Sequence, residues 1–190
     1  MSNDVSISQE LIGQLIDGTI DNDNAQRLLR LERKDKDRFF KYIDALQQRV
    51  AWPDRILLRL GDKLYIVRNA QGARVVKCAC GHEFGDYRQN WKLGCRVRVK
   101  RTLDEMLTVY DPAPACPEPE IQEIREFFCP ACATQLAVEV VAPGYPVVFE
   151  MLPDLDKFYR EYLGQPLPDE AADWYADRSE QVTQRWAEAR

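Results

Sequence analysis

The sequence predicts an α+β chain: a helical N-terminal region, then a mainly β core, then C-terminal helices. Three observations lead to this. From Ser8 to about Val50 the apolar residues recur at three- and four-residue spacing, the period of an amphipathic helix. Beyond Pro53, short runs rich in Val, Ile and Leu replace that period, bounded by Gly, Asp and Pro. Among those runs lie two cysteine pairs, Cys78-Ala79-Cys80 and Cys129-Pro130-Ala131-Cys132, each beside a strand-like segment. The core is therefore expected to be zinc-ribbon-like. The pattern divides the chain into a helical region over 1–53, a β-rich zinc-binding domain over 54–150, and a C-terminal helical segment and tail over 151–190.

The elements follow in order. Leu11, Ile12, Leu15 and Ile16 make the apolar face of a first helix, which Gly18 interrupts. Asp21-Asn22-Asp23-Asn24 can cap a second helix through Arg30, and Asp35 or Asp37 can open a third with Phe39, Phe40, Ile43 and Leu46 on one side. Ile56–Leu60 and Lys63–Val67 read as a hairpin joined by Gly61-Asp62. A strand over 74–77 enters the first cysteine pair, and another is expected over 95–100. Thr102, with Glu105 three residues later, is a capping box for a short helix reaching Tyr110. A proline-rich loop follows over 111–119. Glu120 to Phe128 leads into the second pair, and a strand leaves it over 135–140. Pro143-Gly144-Tyr145-Pro146 is a turn. Asp154 caps a short helix carrying Leu155, Phe158, Tyr159 and Tyr162, stopped by Gly164 and Pro166. Residues 168–190 read as a polar helix with Trp174 and Trp186 as anchors.

Charge and composition narrow the chemistry. A net charge of −5 argues against a general nucleic-acid binder, which would be basic. No apolar stretch is long enough to span a bilayer, and Met1–Val5 lacks a signal-peptide pattern, so a cytoplasmic location is expected. In that compartment paired cysteines point to metal or redox chemistry rather than structural disulfides. Two short thiolate-bearing turns from distant parts of a chain suit a closed tetrahedral zinc site, here with Cys78, Cys80, Cys129 and Cys132 as ligands. Gly81 fits a backbone turning around a metal, where positive φ is needed. His82, the single histidine, is the competing ligand; otherwise it hydrogen-bonds a thiolate or meets a partner. A dithiol redox pair would come with a βαβ context that the sequence does not show.

Four thiolates leave no open metal position. No phosphate-cradling loop occurs, and His82 is the sole imidazole, so no catalytic residue is assigned. Cys95 is expected to be a small buried hydrophobe in phase with Val97 and Val99, and Cys116 an uncommitted thiol in a loop. The basic run Arg96, Arg98, Lys100 and Arg101 reads as a solvated strand face, or as a contact for an acidic protein. Trp91 reads either as a core residue or as an anchor at a subunit interface.

Several segments carry a resemblance. They are Cys78-Ala-Cys80-Gly-His82-Glu-Phe84-Gly-Asp86, Asn90-Trp91-Lys92-Leu93, Arg125-Glu-Phe-Phe-Cys129-Pro-Ala-Cys132, Pro143-Gly-Tyr-Pro-Val147 and Pro153-Asp-Leu-Asp156, with Trp52-Pro53-Asp54 upstream. In this order they resemble the gamma (small) subunits of the acetone and acetophenone carboxylase group over about residues 8–170. The resemblance implies a non-catalytic subunit of a heteromeric, ATP-dependent carboxylase that joins acetone and bicarbonate to give acetoacetate. It implies large alpha and beta partner subunits, hydantoinase- and oxoprolinase-like, which carry the Mn and ATP chemistry, and a structural Zn in this chain. Neither nucleic acid nor membrane is an implied partner. Ala133 departs from the Gly expected after such a CPxC knuckle, which bears on the turn more than on metal binding. The competing reading from another class is a stand-alone zinc-ribbon adaptor for a protein or nucleic-acid partner.

Overall fold

The computed structural model describes residues 6–31, 35–111, 113–170 and 176–188. Strand β1 (Arg55–Gly61) pairs with β2 (Leu64–Arg68), β2 with β3 (Arg74–Cys78), and β3 with β4 (Glu83–Asp86), giving a four-stranded antiparallel sheet in sequential order. Leu64-Tyr65-Ile66-Val67 has no polar alternation because both faces of this sheet are covered. Leu64, Ile66 and Val76 face one side and pack with Leu155, Tyr159 and Leu167 from the C-terminal segment. Tyr65, Val67 and Val75 face the other and pack with Ile43 and Leu46. The chain's two ends thus sandwich its first sheet.

The N-terminal helices are α1 (Gln9–Asp17), α2 (Asn22–Leu29) and α3 (Arg38–Gln47). Ser8 caps α1 by accepting from the Leu11 N–H, and Gly18 ends it in the left-handed conformation, φ 68°. Asp21 caps α2. Neither Asp35 nor Asp37 caps α3 with its side chain: Asp35 instead accepts from the Ile7 N–H at 2.9 Å and pairs with Arg38 and Lys41. Long-range satisfaction has replaced the local cap.

A second sheet, β5 (Arg96–Lys100), β6 (Glu123–Phe128) and β7 (Gln135–Val141), is also antiparallel. Its basic edge departs from the expected solvated face at one residue, Lys100. Lys100 is buried, with Nζ 2.6 Å from the Thr108 hydroxyl, while Arg96 and Arg98 stay exposed. Val97, in the same phase as Cys95, is 47% exposed on edge strand β5.

The capping box of Thr102 and Glu105 forms, but α4 spans only Leu103–Met106 before it unwinds into turns. Asp154 caps α5 (Leu155–Lys157), which widens into a π-helical turn over Phe158–Tyr162 closed by the Leu163 N–H on the Phe158 carbonyl at 3.1 Å. The long polar helix expected over 168–190 is shorter: among the described residues helix occurs only in α6 (Glu180–Glu188), and Trp174 lies outside them. Asp169 explains where the segment goes instead, since its carboxylate and carbonyl take hydrogen bonds from Arg74. No described helix is long and apolar enough to cross a membrane.

Candidate metal centre

The two cysteine pairs sit on two hairpin turns from different sheets. Cys78 ends β3, and Cys80 lies in the turn before β4; Cys129 follows β6, and Cys132 precedes β7. The turns are built alike. In the first, the Gly81 N–H donates to the Cys78 carbonyl at 2.8 Å and the Cys78 N–H to the His82 carbonyl at 2.9 Å. In the second, the Ala133 N–H donates to the Cys129 carbonyl at 2.9 Å and the Cys129 N–H to the Thr134 carbonyl at 2.9 Å. The closing residue of each turn needs positive φ: Gly81 has 98°, and Ala133 has 58° despite its side chain.

These turns bring four sulfurs together. All lie within 4.8 Å of one another, Cys78 Sγ 3.8 Å from Cys132 Sγ and Cys80 Sγ 3.7 Å from Cys129 Sγ. A tetrahedron of sulfurs about 2.3 Å from a central zinc has edges of about 3.8 Å, so the donor set fits Zn in both chemistry and spacing. Cys78 and Cys129 are buried, whereas Cys80 and Cys132 are exposed.

The thiols differ in their surroundings. Burial pushes the Cys78 thiol up, against the Cys80 N–H, which favours its thiolate. Burial also raises Cys80, against the His82 N–H. Cys132 is held down to about 6, first by the Thr134 hydroxyl, whose oxygen lies 3.1 Å from the sulfur, and then by the Thr134 N–H. Hydrogen bonds to the charged form favour it. Thr134 was not legible as a site residue, since a threonine two places past a cysteine carries no distinctive signal.

His82 is not among the clustered donors. Its ring meets Phe84 edge-on, centroids 4.9 Å apart. Cys95 and Cys116 also stand outside the cluster. Cys95 is half-buried rather than buried, with its thiol pushed up to about 12 by burial first.

The family profile described as acetone carboxylase gamma subunit matches residues 50–163, a span that contains both cysteine turns. The acetone carboxylase gamma subunit of Xanthobacter autotrophicus (strain ATCC BAA-1158 / Py2) is 42% identical over 168 residues, which cover 88% of this chain and 99% of that one. The chain belongs to the acetone carboxylase gamma subunit family. A second relative of this gamma-family chain is the acetophenone carboxylase beta subunit of Aromatoleum aromaticum (strain DSM 19018 / LMG 30748 / EbN1). It is 30% identical over 78 residues, 40% of this chain and 60% of the other.

Two residues that sequence reasoning gave no site role stand behind the first turn. Trp52 donates its indole N–H to the Ala79 carbonyl at 3.0 Å, and the Ala79 N–H donates to the Lys63 carbonyl at 2.9 Å. Trp52 precedes Cys78 by more than a full hairpin, so only the folded sheet reveals the contact.

Proposed function

We propose that this chain is the zinc-binding, non-catalytic gamma subunit of an ATP-dependent acetone carboxylase. Its structural Zn would be held by Cys78, Cys80, Cys129 and Cys132. Large alpha and beta subunits would carry the Mn and ATP chemistry that joins acetone and bicarbonate into acetoacetate. The three-part division at 53 and 150, and a cytoplasmic location, belong to this reading. The observation that carries it is a four-sulfur cluster of zinc dimensions inside a gamma-subunit chain. A closed tetrathiolate supplies folding free energy and no open coordination position, which suits a structural role.

The test is co-expression with the two large subunits. A stable heteromer with one zinc per small chain is expected, with ATP-dependent acetone carboxylation that neither the large subunits nor this chain shows alone. A chain that purifies without zinc, or that ignores the large subunits, would refute the reading.

A further inference from the structure

The two cysteine turns are built alike but anchored differently. The middle residue of the first, Ala79, is held at both backbone groups by elements outside the turn: its N–H by the Lys63 carbonyl and its carbonyl by the Trp52 indole. Among the described residues, no hydrogen bond from another element holds the middle of the second turn. Pro130 has no N–H to donate, and the backbone hydrogen bonds of that turn close within it, between Cys129, Ala133 and Thr134. A spacer of one residue leaves the two sulfurs of the first turn little freedom, so the orientation of the Ala79 peptide sets where both point.

Trp52 is itself fixed from several sides. Its ring meets Tyr65 edge-on, centroids 5.9 Å apart, and the Lys77 ammonium lies 5.3 Å from its centroid. Lys77 is in turn held by ion pairs to Asp54 and Glu83. A Cβ added at Gly81 would stand 3.4 Å from Trp52 Cδ1, so the indole also packs under the turn. The Gln47 side chain, at the end of α3, donates to the Trp52 and Asp54 carbonyls at 3.4 and 3.1 Å and accepts from the Ile56 N–H at 3.0 Å. A continuous path thus runs from the N-terminal helices through residues 52–56 to the peptide between two sulfurs.

We propose that Trp52 is a positioning residue for the metal centre, and that α3 acts through it to hold the Cys78–Cys80 turn in its metal-binding shape. This rests on the zinc reading above. Outer contacts of this kind fix ligand orientation, and their loss typically costs about 10–100-fold in metal affinity.

The test uses the full chain as purified with zinc. Trp52→Phe keeps the ring and removes the N–H; Gln47→Glu keeps the acceptor for Ile56 and removes the donor to Trp52; Trp186→Phe, at a half-exposed position, is the control. Zinc transfer to a chromophoric chelator is timed, and the thiolate-to-cobalt absorption of the cobalt-substituted proteins is recorded beside far-UV circular dichroism. Release about tenfold faster is expected for Trp52→Phe, with a shifted cobalt band and an unchanged dichroism spectrum. A smaller acceleration is expected for Gln47→Glu, and none for Trp186→Phe. Should Trp52→Phe fail to fold, Gln47→Glu decides: wild-type release overturns the proposal. Zinc-loaded Trp52→Phe that releases at the wild-type rate overturns the proposal alone. A wild-type chain without zinc overturns the zinc reading and the proposal with it.

Discussion

Arg74 on β3 and Asp156 on α5 form an ion pair of 2.6 Å with side chains only 6% and 3% exposed. The pair fastens the C-terminal segment to the first sheet, and Asp169 extends it by accepting from the same guanidinium. Breaking one side of a buried pair strands the other charge, which typically costs about 3–5 kcal/mol, whereas replacing both by apolar residues can be neutral. Because Asp169 still pairs with the Arg74 guanidinium, Asp156→Ala is expected to lose less than that, about 1.5–3 kcal/mol, in urea unfolding of the zinc-loaded protein. Arg74→Met with Asp156→Leu is expected to recover most of it. An Asp156→Ala protein as stable as wild type would show that the pair does not hold the segment.

Ala133 closes the second cysteine turn at φ 58°, where a Cβ costs about 1–2 kcal/mol. Glycine removes that strain but adds chain entropy to the unfolded state, so Ala133→Gly is expected to stabilise by about 0.5–1 kcal/mol. The midpoint of thermal unfolding should rise by a few degrees with zinc bound. Ala133→Val is expected to move it the other way.

Cys129→Ser should lose most of its zinc and unfold the region of both turns, since structural metal binding is largely folding free energy. His82→Ala should keep a full equivalent, because the imidazole lies against Phe84 and not among the sulfurs. Metal analysis after gel filtration reads both outcomes.

Glu123 on β6 is buried, and Arg101 first, then Arg125, hold its carboxyl below the ordinary 4.5. A depressed folded value means that the unfolded chain binds the proton more readily. The stabilisation is therefore complete above 4.5 and is lost as pH falls through the folded value. Glu123→Gln should be less stable than wild type at about pH 7, and the gap should narrow progressively in acid. Urea titrations of both proteins across that range check it; a gap that widened in acid would reverse the sign.

Trp91 and Tyr145 separate core from surface. Trp91 packs on Phe84 against the core of the first sheet, so Trp91→Ala should cost about 3 kcal/mol of fold stability. Tyr145 is half-exposed and lines a groove with Val138, Val140 and Val148 beside edge strand β7. Tyr145→Ala is expected to change stability by less than about 0.5 kcal/mol and to weaken co-purification with the large subunits. Undiminished co-purification would remove Tyr145 from the interface.

Local signals in the sequence carry most of the fold. Periodicity marked the N-terminal helices, β-branched runs marked the strands around the cysteines, and Thr102 with Glu105 marked the start of α4. These are readable because they depend on neighbours three or four residues apart. The two cysteine pairs were readable as candidate ligands for a similar reason: a short spacing brings two sulfurs together whatever the rest of the chain does. Only the tertiary structure could bring one pair to the other, since that depends on two sheets meeting at their turns. It alone decided that Lys100 is buried, that Asp35 serves Ile7 rather than a helix end, and that Asp169 turns to Arg74 instead of beginning a long helix. The same holds for Trp52, whose bond to Ala79 crosses a whole hairpin. A sequence records which groups need partners; when the partner lies dozens of residues away, packing chooses it.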